Sequence, residues 1–133
     1  MPYGKKGGRM QKLLTSAEAM VAVYEYAEKQ NCKASGPITY KIDGRRDAFT
    51  CWAVVEGEKQ PLIATLFVVG KDGDGNIRVK ELIRWRGVRL LKAFEREGYF
   101  IFKIAGPGLE CRELKLSILD VGLKPHQKKS LLS

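Results

Sequence analysis

The basic side chains between Arg78 and Lys92 are the residues whose type and spacing point most directly to a chemistry. This stretch contains six basic residues and one acid, Glu81, and so carries a local charge of +5. The basic residues are Arg78, Lys80, Arg84, Arg86, Arg89 and Lys92. Trp85 lies among them, and cations beside an aromatic ring suit phosphate contacts combined with base stacking. The stretch therefore predicts a polyanion-binding surface; the alternative is a solvated face with Trp85 in the core.

Further basic residues lie outside this stretch, and the whole chain carries a net charge of +9. A basic balance favours polyanionic partners: nucleic acid first, then an acidic protein surface or an anionic membrane surface. Tyr40 and Trp52 are additional candidates for base stacking. The complete set of predicted nucleic-acid contacts is Lys5, Lys6, Arg9, Arg45, Arg46, Arg78, Lys80, Arg84, Trp85, Arg86, Arg89 and Lys92.

Carboxylates near predicted strand ends are the residues from which an enzyme would have to be built. Asp43, Asp47, Glu56 and Glu58 have the residue type that a metal-dependent nuclease needs, but each lies in or beside a turn. The chain has one histidine, His126, and it falls in the basic C-terminal segment, so no Ser-His-Asp or Cys-His set is indicated. We predict no catalytic residue, and a nuclease is the least favoured class.

Metal and cofactor motifs are also weak. Asp72, Asp74 and Asn76 have the spacing that opens a calcium loop, but isoleucines follow where the loop's glycine and final glutamate belong. The stretch is therefore interpreted as a hairpin turn. The three cysteines form no CxxC pair, which argues against zinc and favours reduced thiols, with Cys51 as a small core residue. The sequence predicts no metal ligand and no cofactor.

The elements that position the basic residues follow from capping signals and from hydrophobic period. Thr15 to Glu18 has the capping-box pattern, which predicts a helix over residues 16–31. Strands are predicted at 38–42, 48–56, 61–69, from Ile77, at 99–105 and at 112–119. Between the Ile77 strand and Gly98, the spacing of Val88, Leu91 and Phe94 predicts a second, basic amphipathic helix that ends at Gly98.

These elements predict one α+β domain in the order α-β-β-β-β-α-β-β. We expect a single curved antiparallel sheet of about five to six strands with two helices. Strands 48–56 and 99–104 are apolar on both faces, so both faces must be covered, by the two helices or by a partner chain in a homodimer. Residues 1–14 are expected to form a flexible basic arm, residues 15–122 the domain, and residues 123–133 a basic tail.

The predicted order resembles two nucleic-acid-binding architectures. Residues 16–98 resemble the double-stranded RNA-binding domain with one additional strand, and Arg84, Arg86 and Arg89 echo the lysine cluster that opens its second helix. Residues 38–98 resemble the single-strand-binding coactivator and whirly-type modules, which dimerise and bind single strands across their sheets. These are likenesses of architecture and imply nucleic-acid binding as an expectation.

We therefore expect a non-catalytic nucleic-acid-binding protein that uses a basic second helix and basic tails. The type of nucleic acid is left open. The alternative is an interaction or regulatory protein that docks on an acidic protein surface, and a metal-dependent nuclease is the third class. No apolar run is long enough for a membrane span and the N-terminus lacks a signal-peptide core, so no membrane partner and a cytoplasmic location are expected.

Overall fold

Helix α1 (Ser16–Lys29) begins where the capping box predicted. The Thr15 side chain accepts a hydrogen bond from the Glu18 N–H at 3.1 Å, and the Glu18 carboxylate accepts from the Thr15 N–H at 3.0 Å. The computed structural model describes residues 13–58 and 60–126. The predicted contacts Lys5, Lys6 and Arg9, and residues 127–133 of the predicted basic tail, lie outside the described residues.

Four antiparallel strands follow in sequence order and form the first sheet. They are β1 (Cys32–Lys41), β2 (Ala48–Gly57), β3 (Gln60–Lys71) and β4 (Ile77–Arg84). The β3–β4 turn is the hairpin that residues 72–76 predicted: the Asp72 carboxylate accepts the N–H groups of Asp74 and Asn76, both at 2.9 Å. The N–H groups of Asn76 and Asp74 and the nearby Arg78 hold the pKa of Asp72 below its usual range.

Three further strands form a second, separate antiparallel sheet. They are β5 (Arg89–Arg96), β6 (Tyr99–Ala105) and β7 (Arg112–Ser117), in that spatial order, and a short 3-10 helix follows at Ile118–Val121. The fold is therefore α+β and antiparallel, as predicted, but it has two sheets where one curved sheet was expected and one α-helix where two were expected.

The predicted second helix is wrong, because residues 89–96 form strand β5. Gly98 does adopt a left-handed conformation, with φ 85°, but Glu97 before it is also left-handed at φ 47°. Two successive residues with positive φ are the signature of a tight hairpin turn whose twist suits antiparallel strands. The conformation interpreted as a helix end instead joins β5 to β6, with Arg96 opposite Tyr99.

A β-bulge explains why the strand period was hidden in the sequence. Leu90 lies opposite Ile104 and Lys92 lies opposite Lys103, so Leu91 is an extra residue in β5. The bulge interrupts the two-residue alternation and leaves apolar residues spaced as on a helix. Of the predicted helical stripe, Val88 is buried just before the strand, whereas Leu91 is 47% exposed.

Two cores hold three layers together. In the first core, Leu66 and Val68 of β3 pack with Phe100 and Phe102 of β6, so the two sheets are stacked face to face. In the second core, the opposite face of the first sheet packs beneath α1, where Cys51 is fully buried. Burial raises the pKa of the Cys51 thiol to about 12, as suits the structural residue predicted from the sequence.

Both faces of β2 are therefore covered within one chain. α1 covers one face, as predicted, but the second sheet covers the face that was assigned to a second helix or to a dimer partner. For β2, one of the two strands that suggested a homodimer, the reason is thus met within the chain. The outward side of the other strand, β6, is not covered by α1 or by the first sheet, and the homodimer itself stays a prediction. The predicted resemblances to the double-stranded RNA-binding domain and to the coactivator and whirly-type modules required a second helix. The observed order of elements has no such helix in the described residues, so it does not match either architecture.

Two fully buried threonines in adjacent strands lead to a stability prediction. Among the described residues the Thr50 hydroxyl has no hydrogen-bond partner, whereas the Thr65 hydroxyl donates to the Ile63 carbonyl at 3.2 Å. Because an unsatisfied buried hydroxyl is costly, we expect Thr50→Val to raise the free energy of unfolding by about 1 kcal/mol. The control Thr65→Val should lower it by about 1 kcal/mol. Urea denaturation measures the free energy of unfolding of both variants. A change of the same sign in the two variants would contradict the prediction.

No helix in the described part of the chain is both long and apolar enough to cross a membrane.

Candidate nucleic-acid interface

The face of the second sheet that points away from the first presents cations and aromatic rings in a regular array. Phe100, Phe102 and Ile104 of β6 point into the core, so the alternate residues of that strand point outward. Strand pairing places three cross-strand rows on this side, which we call the outer face. The rows are Lys92–Lys103–Glu113, Phe94–Ile101–Lys115 and Arg96–Tyr99–Ser117.

The two aromatic rings of the outer face each have cations close by. The Phe94 ring centroid lies 5.2 Å from Lys92 Nζ, 5.6 Å from the Arg96 guanidinium carbon and 6.0 Å from Lys103 Nζ. The Tyr99 ring has Lys115 Nζ at 4.5 Å from its centroid and is itself 40% exposed. Cations near an aromatic face are attracted to it, so these contacts hold the basic side chains beside the rings.

Electrostatics leave the outer face short of negative charge. Its four cations, Lys92, Arg96, Lys103 and Lys115, face one carboxylate, Glu113, which gives a charge of +3. The Arg96–Glu113 pair is exposed and loose, at 3.6 Å, and such pairs contribute little. Lys92 also lies directly opposite Lys103, an arrangement that costs stability in an isolated sheet. An anion bound here would relieve that repulsion.

Arg45, one of the predicted nucleic-acid contacts, is buried in the protein interior. It is 5% exposed, and its guanidinium donates to the Asp47 carboxylate at 3.0 and 3.1 Å and to Glu95 at 3.2 Å. It also donates to the Lys124 carbonyl at 2.9 Å. We therefore leave Arg45 out of the candidate interface. Arg46, its neighbour, is exposed.

The predicted basic residues of β4 lie on the first sheet rather than on the outer face. Arg78 pairs with Asp72 at 3.4 Å in the adjacent turn, and Arg84 pairs with Glu81 at 3.3 Å. Lys80 is exposed on the same strand. β4 is an edge strand of the first sheet and does not pair with β5, β6 or β7. Its basic residues are therefore not part of the three cross-strand rows of the outer face.

Trp85 lies in the turn that carries the chain from the first sheet to the second. Val88 N–H donates to the Trp85 carbonyl at 3.0 Å, and Gly87 has φ 70°, a value that glycine adopts without strain. The indole N–H donates to the Pro107 carbonyl at 2.7 Å, which holds the ring against the turn between β6 and β7. Trp85 is 39% exposed and also makes a structural contact. It is therefore intermediate between the two predicted alternatives, a base-stacking residue and a core residue.

Arg86 is exposed in the turn before β5, and Arg89, also exposed, lines a groove. The groove, of about 460 Å³, lies between β1 and the start of β5 and contains the two other predicted stacking residues, Tyr40 and Trp52. It is lined by Ile38, Tyr40, Trp52, Gly87, Val88, Arg89 and Leu90. Two of the predicted nucleic-acid contacts therefore lie on β5: Lys92 on the outer face and Arg89 at the end of the strand beside the groove.

The candidate nuclease carboxylates are scattered. Asp43 and Asp47 lie in the β1–β2 turn, where Asp47 is bound by Arg45, and Glu56 and Glu58 are exposed at the β2–β3 turn. Within residues 13–58 and 60–126, no three His, Cys, Asp or Glu side chains are grouped so as to hold a metal ion.

The sequence prediction missed five of the six cations and aromatic residues of the outer face, namely Phe94, Arg96, Tyr99, Lys103 and Lys115. The signal was present as polar and aromatic residues at every second position, as in Lys92–Phe94–Arg96 and Glu113–Lys115. This alternation was obscured in β5 because Leu91, the extra residue of the bulge, lies at helical spacing from Val88 and Phe94. Phe94 was consequently assigned to a buried helical stripe.

No protein-family model matches this chain, and neither a curated protein nor a solved structure matches it.

Proposed function

We propose that the protein is a non-catalytic nucleic-acid-binding module whose contact surface is the outer face of the second sheet. The observation that carries this proposal is the set of four cations placed around the half-buried Phe94 and the exposed Tyr99 on the outer face. Phosphates suit the cations and base faces suit the rings, which is the combination that sheet-type binders of single strands use. An acidic protein would satisfy the cations but would not require the rings.

The proposal fits the charge of the whole chain as well as that of the site. The net charge of +9 raises the rate at which a polyanion meets the protein, while the outer face supplies the local contacts. Because phosphate contacts release counterions, affinity should fall steeply with salt. The outer face replaces the second helix as the centre of the surface, since β5 carries Lys92 on a strand.

The test is a pair of charge-neutralised variants compared in salt titrations of labelled single- and double-stranded DNA and RNA. Lys92→Gln with Lys103→Gln removes two cations of the outer face. If each contacts one phosphate of a single strand, the slope of log affinity against log salt becomes shallower by up to ~1.4. Each lost contact should also lower the affinity about 5-fold near 0.1 M salt.

The matched control is Lys33→Gln with Lys41→Gln, which removes two exposed cations from β1 of the first sheet. The net charge of the two double variants is equal, so a general electrostatic effect would change both alike. A loss confined to the Lys92 and Lys103 variant supports the outer face. Equal losses in the two variants, or no binding to any nucleic acid at 50 mM salt, would contradict the proposal.

A further inference from the structure

The groove between β1 and the start of β5 has the lining of a site for one flat ring. Ile38 and Tyr40 lie two residues apart on β1 and so share a face, and they are 46% and 39% exposed. Trp52 lies opposite Ile38 on β2, and its indole N–H donates to the Val88 carbonyl at 2.9 Å. The indole is thus fixed in place between the two sheets with its polar atom already satisfied.

The chemistry of the groove is apolar and aromatic with a cationic rim. Among the described residues that line it, none is acidic, and the charged side chain is that of Arg89. Arg86 is exposed next to the Gly87 wall. A ligand with a flat apolar ring and an attached negative charge complements both features, since the ring stacks on aromatic side chains and the charge faces arginine.

Arg89 connects the groove to the outer face. It lines the groove, and in the sheet it lies opposite Ala105, two residues from Lys103 on β6. Because alternate residues of a strand share a face, Ala105 lies in line with Lys103 and Ile101. A phosphate held at Arg89 would therefore belong to a backbone that continues toward Lys92 and Lys103.

From this placement we propose that the groove binds one unpaired nucleobase of a single-stranded nucleic acid, stacked on Tyr40, with its phosphate at Arg89. The proposal rests on the proposed function and extends it to the class of nucleic acid. In a duplex each base is paired and stacked on its neighbours, so it cannot enter the groove unless it is first extruded. The groove thus confers a preference for single strands, while the cations of the outer face bind any phosphate backbone.

The test uses Trp52 as a reporter. The chain has two tryptophans, so Trp85→Phe leaves Trp52 as the single one, and circular dichroism and thermal melting establish that this variant is folded. A thymidine 12-mer is titrated against it beside a blunt 12-base-pair duplex of mixed sequence. We expect the single strand to quench Trp52 fluorescence and the duplex to bind without quenching.

Tyr40→Ala in the same background identifies the stacking residue. The affinity for the 12-mer should fall about 5- to 150-fold, whereas the affinity for the duplex and the salt slope should not change. The control Tyr24→Ala removes a similarly exposed tyrosine, 46% exposed, from α1 on the other side of the first sheet and should change neither affinity.

The outcomes separate this inference from the proposed function. If both nucleic acids bind but Tyr40→Ala affects them equally, or if the duplex quenches Trp52 as strongly as the single strand, the groove is not a base site and the outer face stands. If neither nucleic acid binds, both proposals fall. If polyglutamate quenches Trp52 and displaces the 12-mer, the groove serves an acidic protein, and the base site is overturned.

Discussion

Arg45→Ala is expected to lower the free energy of unfolding by about 3–5 kcal/mol, although the sequence marks this residue as a surface cation. Arg45 bonds to Asp47 in the turn before β2, to Glu95 on β5 and to the Lys124 carbonyl beyond the 3-10 helix. Its guanidinium also lies 5.4 Å from the Phe100 ring centroid. Removing it leaves the nearly buried Asp47 carboxylate without its cation, which costs more than the lost contacts alone. The Glu95 carboxylate keeps its contacts with the His126 imidazole and N–H, at 2.8 and 2.7 Å.

The neighbouring residue supplies a control that differs only in placement. Arg46→Ala removes the same side chain from the adjacent, exposed position and should change the free energy of unfolding by less than about 0.5 kcal/mol. Urea denaturation at pH 7 and 25 °C measures both variants. If the two variants lose the same stability, Arg45 is not the buried link between the sheets that the structure describes.

Replacing both aromatic rings of the outer face should weaken binding to single strands by about 25-fold or more, on the basis of at least about 5-fold per stacked base. The double variant is Phe94→Leu with Tyr99→Leu. Leucine keeps an apolar side chain beside Ile101, the residue opposite Phe94, and so preserves the sheet. The variant removes no cation, and therefore the salt slope should equal that of the parent.

The variant with Tyr24→Leu is the matched control, because Tyr24 and Tyr99 are exposed to similar extents, 46% and 40%. It should bind labelled single-stranded DNA as the parent does in a fluorescence anisotropy titration. An affinity that survives the loss of both Phe94 and Tyr99 would mean that charge alone drives the contact. That result would favour the acidic-protein alternative, and binding of polyglutamate unaffected by the double variant would support it.

Local chemistry sufficed to predict the order of elements in the first half of the fold, although the first strand, predicted at 38–42, begins earlier, at Cys32. The capping box at Thr15 and Glu18 satisfies backbone N–H groups three residues apart, and the turn at Asp72 satisfies N–H groups two and four residues away. Such contacts form between neighbours in the chain, so the residue types themselves identify them. The alternation of apolar residues likewise placed β2 correctly and indicated that Cys51 is buried.

The second half depended on partners that are distant in sequence. Residues 89–96 contain good helix formers, but intrinsic helix preference amounts to tenths of a kcal/mol per residue. As strand β5, the same segment pairs with β6 along its length and places Ala93 in the core between the sheets. Pairing and burial outweigh the local preference, and the bulge at Leu91 conceals the strand period from a reading of the sequence.

The candidate site shows the same division between composition and placement. An excess of positive charge and the presence of aromatic residues among the cations are properties of the sequence, and they indicate a polyanion without the structure. Which cations meet is decided by the fold: Arg45 is drawn inward by carboxylates that include Glu95, 50 residues away. Lys92, Lys103 and Lys115 come together because strand register, which is set by pairing across the sheet, places them on one face.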